Sequence, residues 1–167
     1  MVKVLFVCMG NICRSPLAEG AFCHLLAQAE AAGEDLPAIE VDSAGTISFH
    51  AGEPPDARAQ DAARQRSIDL GGQVARRIRK SDFYAFDYIL AMDRANLADL
   101  QALRPADATA DLRLFLDFAP DLGIDEVPDP YYGGRDGFDY VLDLVEAGAQ
   151  GLLNDIRRRF GARTSAP

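Results

Sequence analysis

The stretch Cys8-Met9-Gly10-Asn11-Ile12-Cys13-Arg14-Ser15 places a thiol, five residues, an arginine and a serine in direct succession. Each residue type has a use at that spacing. The backbone N–H groups of so short a loop wrap around an anion when the loop joins a strand to a helix. Gly10 and Asn11 accept left-handed backbone angles most cheaply and suit the tight turn of such a cradle. Arg14 supplies a planar fork for two oxygens of one phosphate. Cys8 then stands in the mouth of the cradle, where the donors and the positive helix end ease the loss of its proton. A sulfur anion at the centre of a phosphate cradle is a nucleophile aimed at phosphorus. The chemistry implied is a phosphocysteine intermediate.

Such an intermediate forms as an alkoxide or phenoxide leaves, and the leaving oxygen needs a general acid. Asp and Glu number 26, so abundance selects none of them. Asp129 stands apart because Pro128 and Pro130 stiffen the chain on both sides. Tyr131-Tyr132-Gly133-Gly134 follows, and its two rings can wall a pocket for a ring-shaped leaving group.

The elements that must position these groups are legible in the apolar spacing. Lys3–Val7 is a short apolar run that fits a buried strand. Ser15-Pro16 opens a helix, with Ser15 as its cap and proline tolerated in the first turn. Leu17, Ala21, Leu25 and Ala29 recur at helical spacing, Phe22 and Leu26 widen the stripe, and Gly33 can end it. Further strands are expected at Ile39–Val41, Tyr88–Met92 and Leu112–Leu116. Further helices are expected at Asp56–Arg66, Arg94–Leu103 (stopped by Pro105) and Gly137–Phe160. Strands separated by helices require crossovers and a parallel sheet. The pattern predicts an α/β fold, a three-layer α/β/α sandwich on a four-stranded parallel sheet. It is expected as a single domain over 1–160 with a frayed tail at 161–167. Ligands in such sheets sit beyond the carboxyl ends of the strands, where the Cys8 loop falls.

Composition restricts the partners. Among 167 residues, 17 Lys and Arg stand against the 26 acids, a formal charge of −9. A general nucleic-acid binder needs a basic face, and anionic membranes repel an acidic one, so neither is expected as a partner. Any phosphate must be held by a local site against the net field. No stretch approaches a membrane span, and the opening apolar run is too short for a secretory signal. Three cysteines, an odd count, suggest reduced thiols and a cytoplasmic setting. Two histidines, His24 and His50, with no C-x-x-C pair, argue against zinc. Neither a metal nor another cofactor is expected.

Taken together, Val4-Leu5-Phe6-Val7 running through Cys8 to Ser15-Pro16 resembles the N-terminal signature of the low molecular weight protein tyrosine phosphatases. Asp42-Ser43-Ala44-Gly45-Thr46, Ala91-Met92-Asp93 with Asn96-Leu97, and Asp129-Pro130-Tyr131 resemble that family's later landmarks in order. The resemblance implies that Cys8 is the nucleophile and Arg14 the transition-state clamp. It implies that Asp129 is the acid that protonates the phenolate and then the base that activates water. Asn11, Ser15 and Ser43 resemble a hydrogen-bond network that holds the loop, and Cys13 resembles a neighbour that pairs with Cys8 on oxidation. It implies phosphotyrosine proteins or small aryl phosphates as substrates, inorganic phosphate as product, and no metal. Two positions depart from the pattern. Gln73 stands where the family often has a histidine in the network, and it can donate and accept but not titrate. Phe49 stands at a wall position that is often a bulky aromatic and carries no polar tip. An acidic surface favours basic segments around the target tyrosine, weakly in physiological salt.

Related activities make different demands. Arsenate reductases share the loop but relay a disulfide through further cysteines, and this chain has none after Cys23. Arginine phosphatases resemble the family and tend to have threonine where Ile12 stands. An apolar Ile12 at the mouth favours an aromatic ring over a guanidinium. A phosphate-binding module without turnover needs the cradle but not the acid, and a phosphocysteine carrier gains nothing from one.

Overall fold

The computed structural model describes residues 1–161. Of the tail expected from Gly161 onward, residues 162–167 lie outside the described region. The sheet is built on β1 (Val2–Cys8), whose residues are buried except for half-buried Lys3. It pairs in parallel with β2 (Ile39–Gly45) on one side and β3 (Tyr88–Ala91) on the other, and β4 (Asp111–Leu114) closes the sheet beyond β3. The order is β2-β1-β3-β4, four parallel strands as expected. A strand covered on both faces must be apolar throughout, which is why β1 reads as a continuous run rather than an alternation.

Side-chain alternation along β1 divides the core into two layers. Val4, Phe6 and Cys8 face a cluster built with α1 (Arg14–Ala31), α2 (Ala57–Arg64) and α5 (Arg135–Phe160). Leu5 and Val7 face a smaller cluster with α3 (Asp82–Ala85) and α4 (Arg94–Leu103). The architecture is the three-layer α/β/α sandwich. Each fully buried Leu, Phe or Val contributes about 1.5–3 kcal/mol, so β1 is both the centre of the core and the rigid stem of the loop that follows it.

Several boundaries differ from the sequence expectation. β1 runs on to Cys8, β2 extends to Gly45, and α5 begins at Arg135. The short helix α3 has too few turns to show a periodic stripe. β4 stops at Leu114, and Phe115–Phe118 turns into a 3-10 segment. That segment packs closely against α5. A Cβ on Gly151 would lie 1.8 Å from the Phe118 carbonyl oxygen, so only glycine lets the helix approach that backbone. Among the described residues no helix is long and apolar enough to cross a membrane.

Candidate active site

The loop between β1 and α1 turns on Asn11, which has a left-handed φ of 57°. Gly10, expected to share that role, does not have positive φ. A Cβ there would lie 3.1 Å from the His50 ring, a tight contact that the ring would have to yield a few tenths of an ångström to admit. Asn11 is 3% exposed and acts as the keystone. Its Nδ2 donates to Ser15 Oγ at 2.8 Å and Ser43 Oγ at 3.0 Å, and its Oδ1 accepts from the Arg76 amide at 3.0 Å. Three elements are thereby tied to the turn: α1, β2 and the segment before α3. Beyond β2, Thr46 and Ile47 donate backbone N–H groups to the carbonyls of Cys8 and Met9.

Ser15 does not cap the helix. Cys13 occupies the cap position, and no side chain bonds the first-turn amides. Ser15 Oγ lies 3.0 Å from Cys8 Sγ instead, and the Asn11 amide donates to the same sulfur at 3.3 Å. An uncapped, buried helix N-terminus leaves its N–H groups for an anion. The cap that the sequence pattern suggested would have filled the anion's place.

Arg14 is 4% exposed at the floor. Its Nη1 donates to Asp93 Oδ2 at 2.6 Å and to the Val127 carbonyl at 3.0 Å. Asp93 also caps α4 by accepting from the Asn96 amide. These contacts fix the guanidinium plane before any ligand arrives. Asp93 stands within one of the landmark segments, but only the fold reveals it as the partner of Arg14.

Asp129 reaches the same place from the far side. Its Oδ1 accepts from the Tyr131 amide at 3.0 Å, while its Oδ2 lies 3.8 Å from Arg14 Nη2. Arg58 holds that loop from α2, donating to the Tyr131 carbonyl at 2.9 Å and lying over the Tyr131 and Phe138 rings. The cleft so formed is lined by Cys8, Met9, Gly10, Ile12, Cys13 and Arg14, with Asp129 above them. Phe49, Tyr131 and Tyr132 are all at its walls, as is His50, whose Nδ1 lies 2.7 Å from Glu53 Oε2. His50 was not singled out by the sequence; its place beside Phe49 is the only local signal.

Gln73 is the correction among the network residues. Its Nε2 donates to the Pro16 carbonyl at 3.2 Å, and its buried Oε1 has no partner among the described residues. It braces α1 rather than the asparagine and serines. Glu19 faces Ser43 from α1. Burial, then the nearby Asp42 charge, pushes its carboxyl up to about 7. The Cys13 thiol is pushed up to about 12, first by burial and then by Asp56, Cys8 and Asp129, which keeps it protonated beside Cys8.

The sequence pattern of the low molecular weight phosphotyrosine protein phosphatase family matches residues 3–162. The chain belongs to that family. A low molecular weight protein-tyrosine-phosphatase of Bacillus subtilis is 39% identical, over 95% of this chain and 97% of the relative. A protein tyrosine phosphatase from Entamoeba histolytica, crystallised with Hepes in its active site, superposes with a TM-score of 0.86. It is 35% identical, with 95% of this chain and 98% of that one covered. A Drosophila arginine phosphatase superposes with a TM-score of 0.83 at 33% identity, covering 93% of this chain and 97% of that one. The same fold therefore accompanies a tyrosine phosphatase and an arginine phosphatase.

Proposed function

We propose that this chain is a cysteine-dependent phosphatase that hydrolyses phosphotyrosine and small aryl phosphates through a phosphocysteine on Cys8. The observation that carries the reading is the convergence of Cys8 Sγ, an uncapped helix end, the Arg14 fork and the Asp129 carboxylate on one cleft. In the first step Cys8 Sγ attacks phosphorus in line. The P–S bond forms as the P–O bond to the aryl group breaks, and Asp129 gives its proton to the leaving oxygen. Arg14 and the loop amides take up the charge on the equatorial oxygens, more strongly in the transition state than before it. In the second step Asp129 accepts a proton from water, the water oxygen attacks phosphorus, and the P–S bond breaks to release inorganic phosphate and the sulfur anion. Arg14 and the amides fill the part a metal would play, so turnover is expected to persist in EDTA.

Ile12 supports an aryl over a guanidinium substrate. It is 7% exposed and lines the cleft with Phe49, and neither side chain supplies an acceptor for guanidinium N–H groups. A reducing, cytoplasmic setting suits a mechanism that runs on a free thiol. The test is hydrolysis of p-nitrophenyl phosphate with EDTA, wild type beside Cys8→Ser, followed by phosphotyrosine against phosphoarginine. Metal-independent turnover lost in Cys8→Ser and faster phosphotyrosine release support the reading. Turnover retained in the variant removes Cys8 from the mechanism, and faster phosphoarginine release overturns the substrate assignment.

A further inference from the structure

Charge on this chain is not evenly spread. Arg76-Arg77-Ile78-Arg79-Lys80 holds four of the 17 cations in five residues. Arg76 is spent internally, paired with Asp42 and Asp82. Arg77, Arg79 and Lys80 are exposed, and among the described residues none of their side chains is paired with a carboxylate. On a protein with formal charge −9, three free cations in four residues form a local basic ridge.

Its position is fixed by the sheet. Gly45 donates its N–H to the Arg76 carbonyl and accepts from the Ile78 amide, which makes a parallel bridge between Gly45 and Arg77. Gly45 in turn pairs with Cys8. Cys8, Gly45 and Arg77 therefore lie side by side across the carboxyl end of the sheet. At the usual strand spacing Arg77 stands about 10 Å from the nucleophile. A shallow groove runs from there between Ile78 and α4, with Leu100 and Leu103 in its wall and Arg77 and Asp99 on its two banks. Ile47 lines both this groove and the cleft over Cys8, so the two adjoin at that side chain.

We propose that this ridge and groove bind the polypeptide flanking the phosphotyrosine, and that they select acidic side chains two to four positions away from it. The proposal rests on the phosphatase reading above and extends it to substrate choice. An extended chain advances about 3.3 Å per residue, so a residue two to four positions from a phosphotyrosine seated over Cys8 comes within reach of Arg77. Its carboxylate meets cations that have no internal partner to give up. Asp99 on the opposite bank repels a carboxylate that strays across and so sets its register. Net charge alone favours basic flanks; the local field at the mouth reverses that preference.

The experiment compares kcat/KM for three phosphotyrosine peptides with Glu, Gln or Lys at the flanking positions, with p-nitrophenyl phosphate as a substrate that cannot reach the ridge. Wild type is expected to prefer the Glu peptide over the Lys peptide, and salt is expected to narrow the gap. An exposed ion pair is worth up to about fivefold. Arg77→Ala together with Arg79→Ala and Lys80→Ala should lower kcat/KM for the Glu peptide roughly three- to tenfold, with p-nitrophenyl phosphate unchanged. Asp99→Asn should raise it. A Lys-peptide preference in wild type, or an unchanged Glu preference in the triple variant, overturns the proposal. If the triple variant loses p-nitrophenyl phosphate turnover through misfolding, Arg77→Gln alone decides by the same ratio. If wild type itself hydrolyses nothing, the phosphatase reading has failed, and calorimetric binding of the three peptides to Cys8→Ser still judges the ridge.

Discussion

Replacing Asn11 by alanine tests whether one side chain holds the phosphate loop in shape. The substitution removes the donors to Ser15 and Ser43 and the acceptor for the Arg76 amide. Each such bond is worth about 0.5–1.5 kcal/mol net. Alanine at a φ of 57° adds left-handed strain of about 1 kcal/mol. The expected loss is about 3–5 kcal/mol, and at about 2–4 °C per kcal/mol for a domain of this size the melting temperature should fall by roughly 6–20 °C. Asn11→Gly loses the same bonds but tolerates the backbone, so it should be about 1 kcal/mol more stable than Asn11→Ala. Thermal unfolding measured alongside p-nitrophenyl phosphate turnover reads both consequences. Activity should fall at least tenfold in each variant, because Ser15 and the Asn11 amide are no longer held against Cys8 Sγ. An alanine variant within about 0.5 kcal/mol of wild type, a typical neutral surface change, would refute the reasoning, as would a glycine variant less stable than the alanine one.

Asp129→Ala should slow phenyl phosphate far more than aryl phosphates with good leaving groups, since only the poor leaving group needs the proton; equal losses in a leaving-group series would make Asp129 structural. Asp93→Asn keeps the cap on α4 but takes the charge from the Arg14 contact at 2.6 Å. Vanadate affinity and kcat/KM should both drop about tenfold or more, matching a charged hydrogen bond of about 1.5–3 kcal/mol, and an unchanged vanadate affinity would count against Asp93 as the brace of Arg14. Glu19 is held at about 7, above the ordinary 4.5, so the folded state keeps its proton longer than the unfolded state. Ionising it therefore costs stability as pH rises from about 4.5 to 7, and the cost is constant above that. Glu19→Gln should match wild type near pH 4 and gain on it up to neutral pH by about 1–3 kcal/mol; parallel melting curves across that range would show that Glu19 carries no such penalty.

The sequence makes the reacting groups legible because their chemistry requires rare combinations. A thiol, a turn-forming pair and an arginine at a strand end can be read without coordinates, and so can an aspartate between two prolines. The order of the four strands and of the longer helices is equally plain, since β1 must be apolar on both faces and α5 carries a long stripe, whereas the four-residue α3 shows none. What could not be read depends on contacts between distant segments. Ser15 looks like a helix cap by local pattern, yet its hydroxyl is drawn to Cys8 Sγ and Asn11 across the turn. Asp93 and Arg14 are 79 residues apart, and nothing local pairs them. Gln73 stands at a network position in the pattern but reaches Pro16 instead. The bridge that sets Arg77 beside Gly45 likewise joins segments that no local pattern pairs.

The central claim is that phosphorus passes through Cys8. Its most direct test is to mix Asp129→Ala with an aryl phosphate bearing a good leaving group, quench in acid within the first turnover, and map the trapped phosphoryl group by mass spectrometry. Slow attack of water without its base should let the intermediate accumulate. One phosphoryl group is expected on the peptide containing Cys8, and none when Cys8→Ser is added. A phosphoryl group on any other residue would contradict it, as would rapid turnover with none trapped on Cys8.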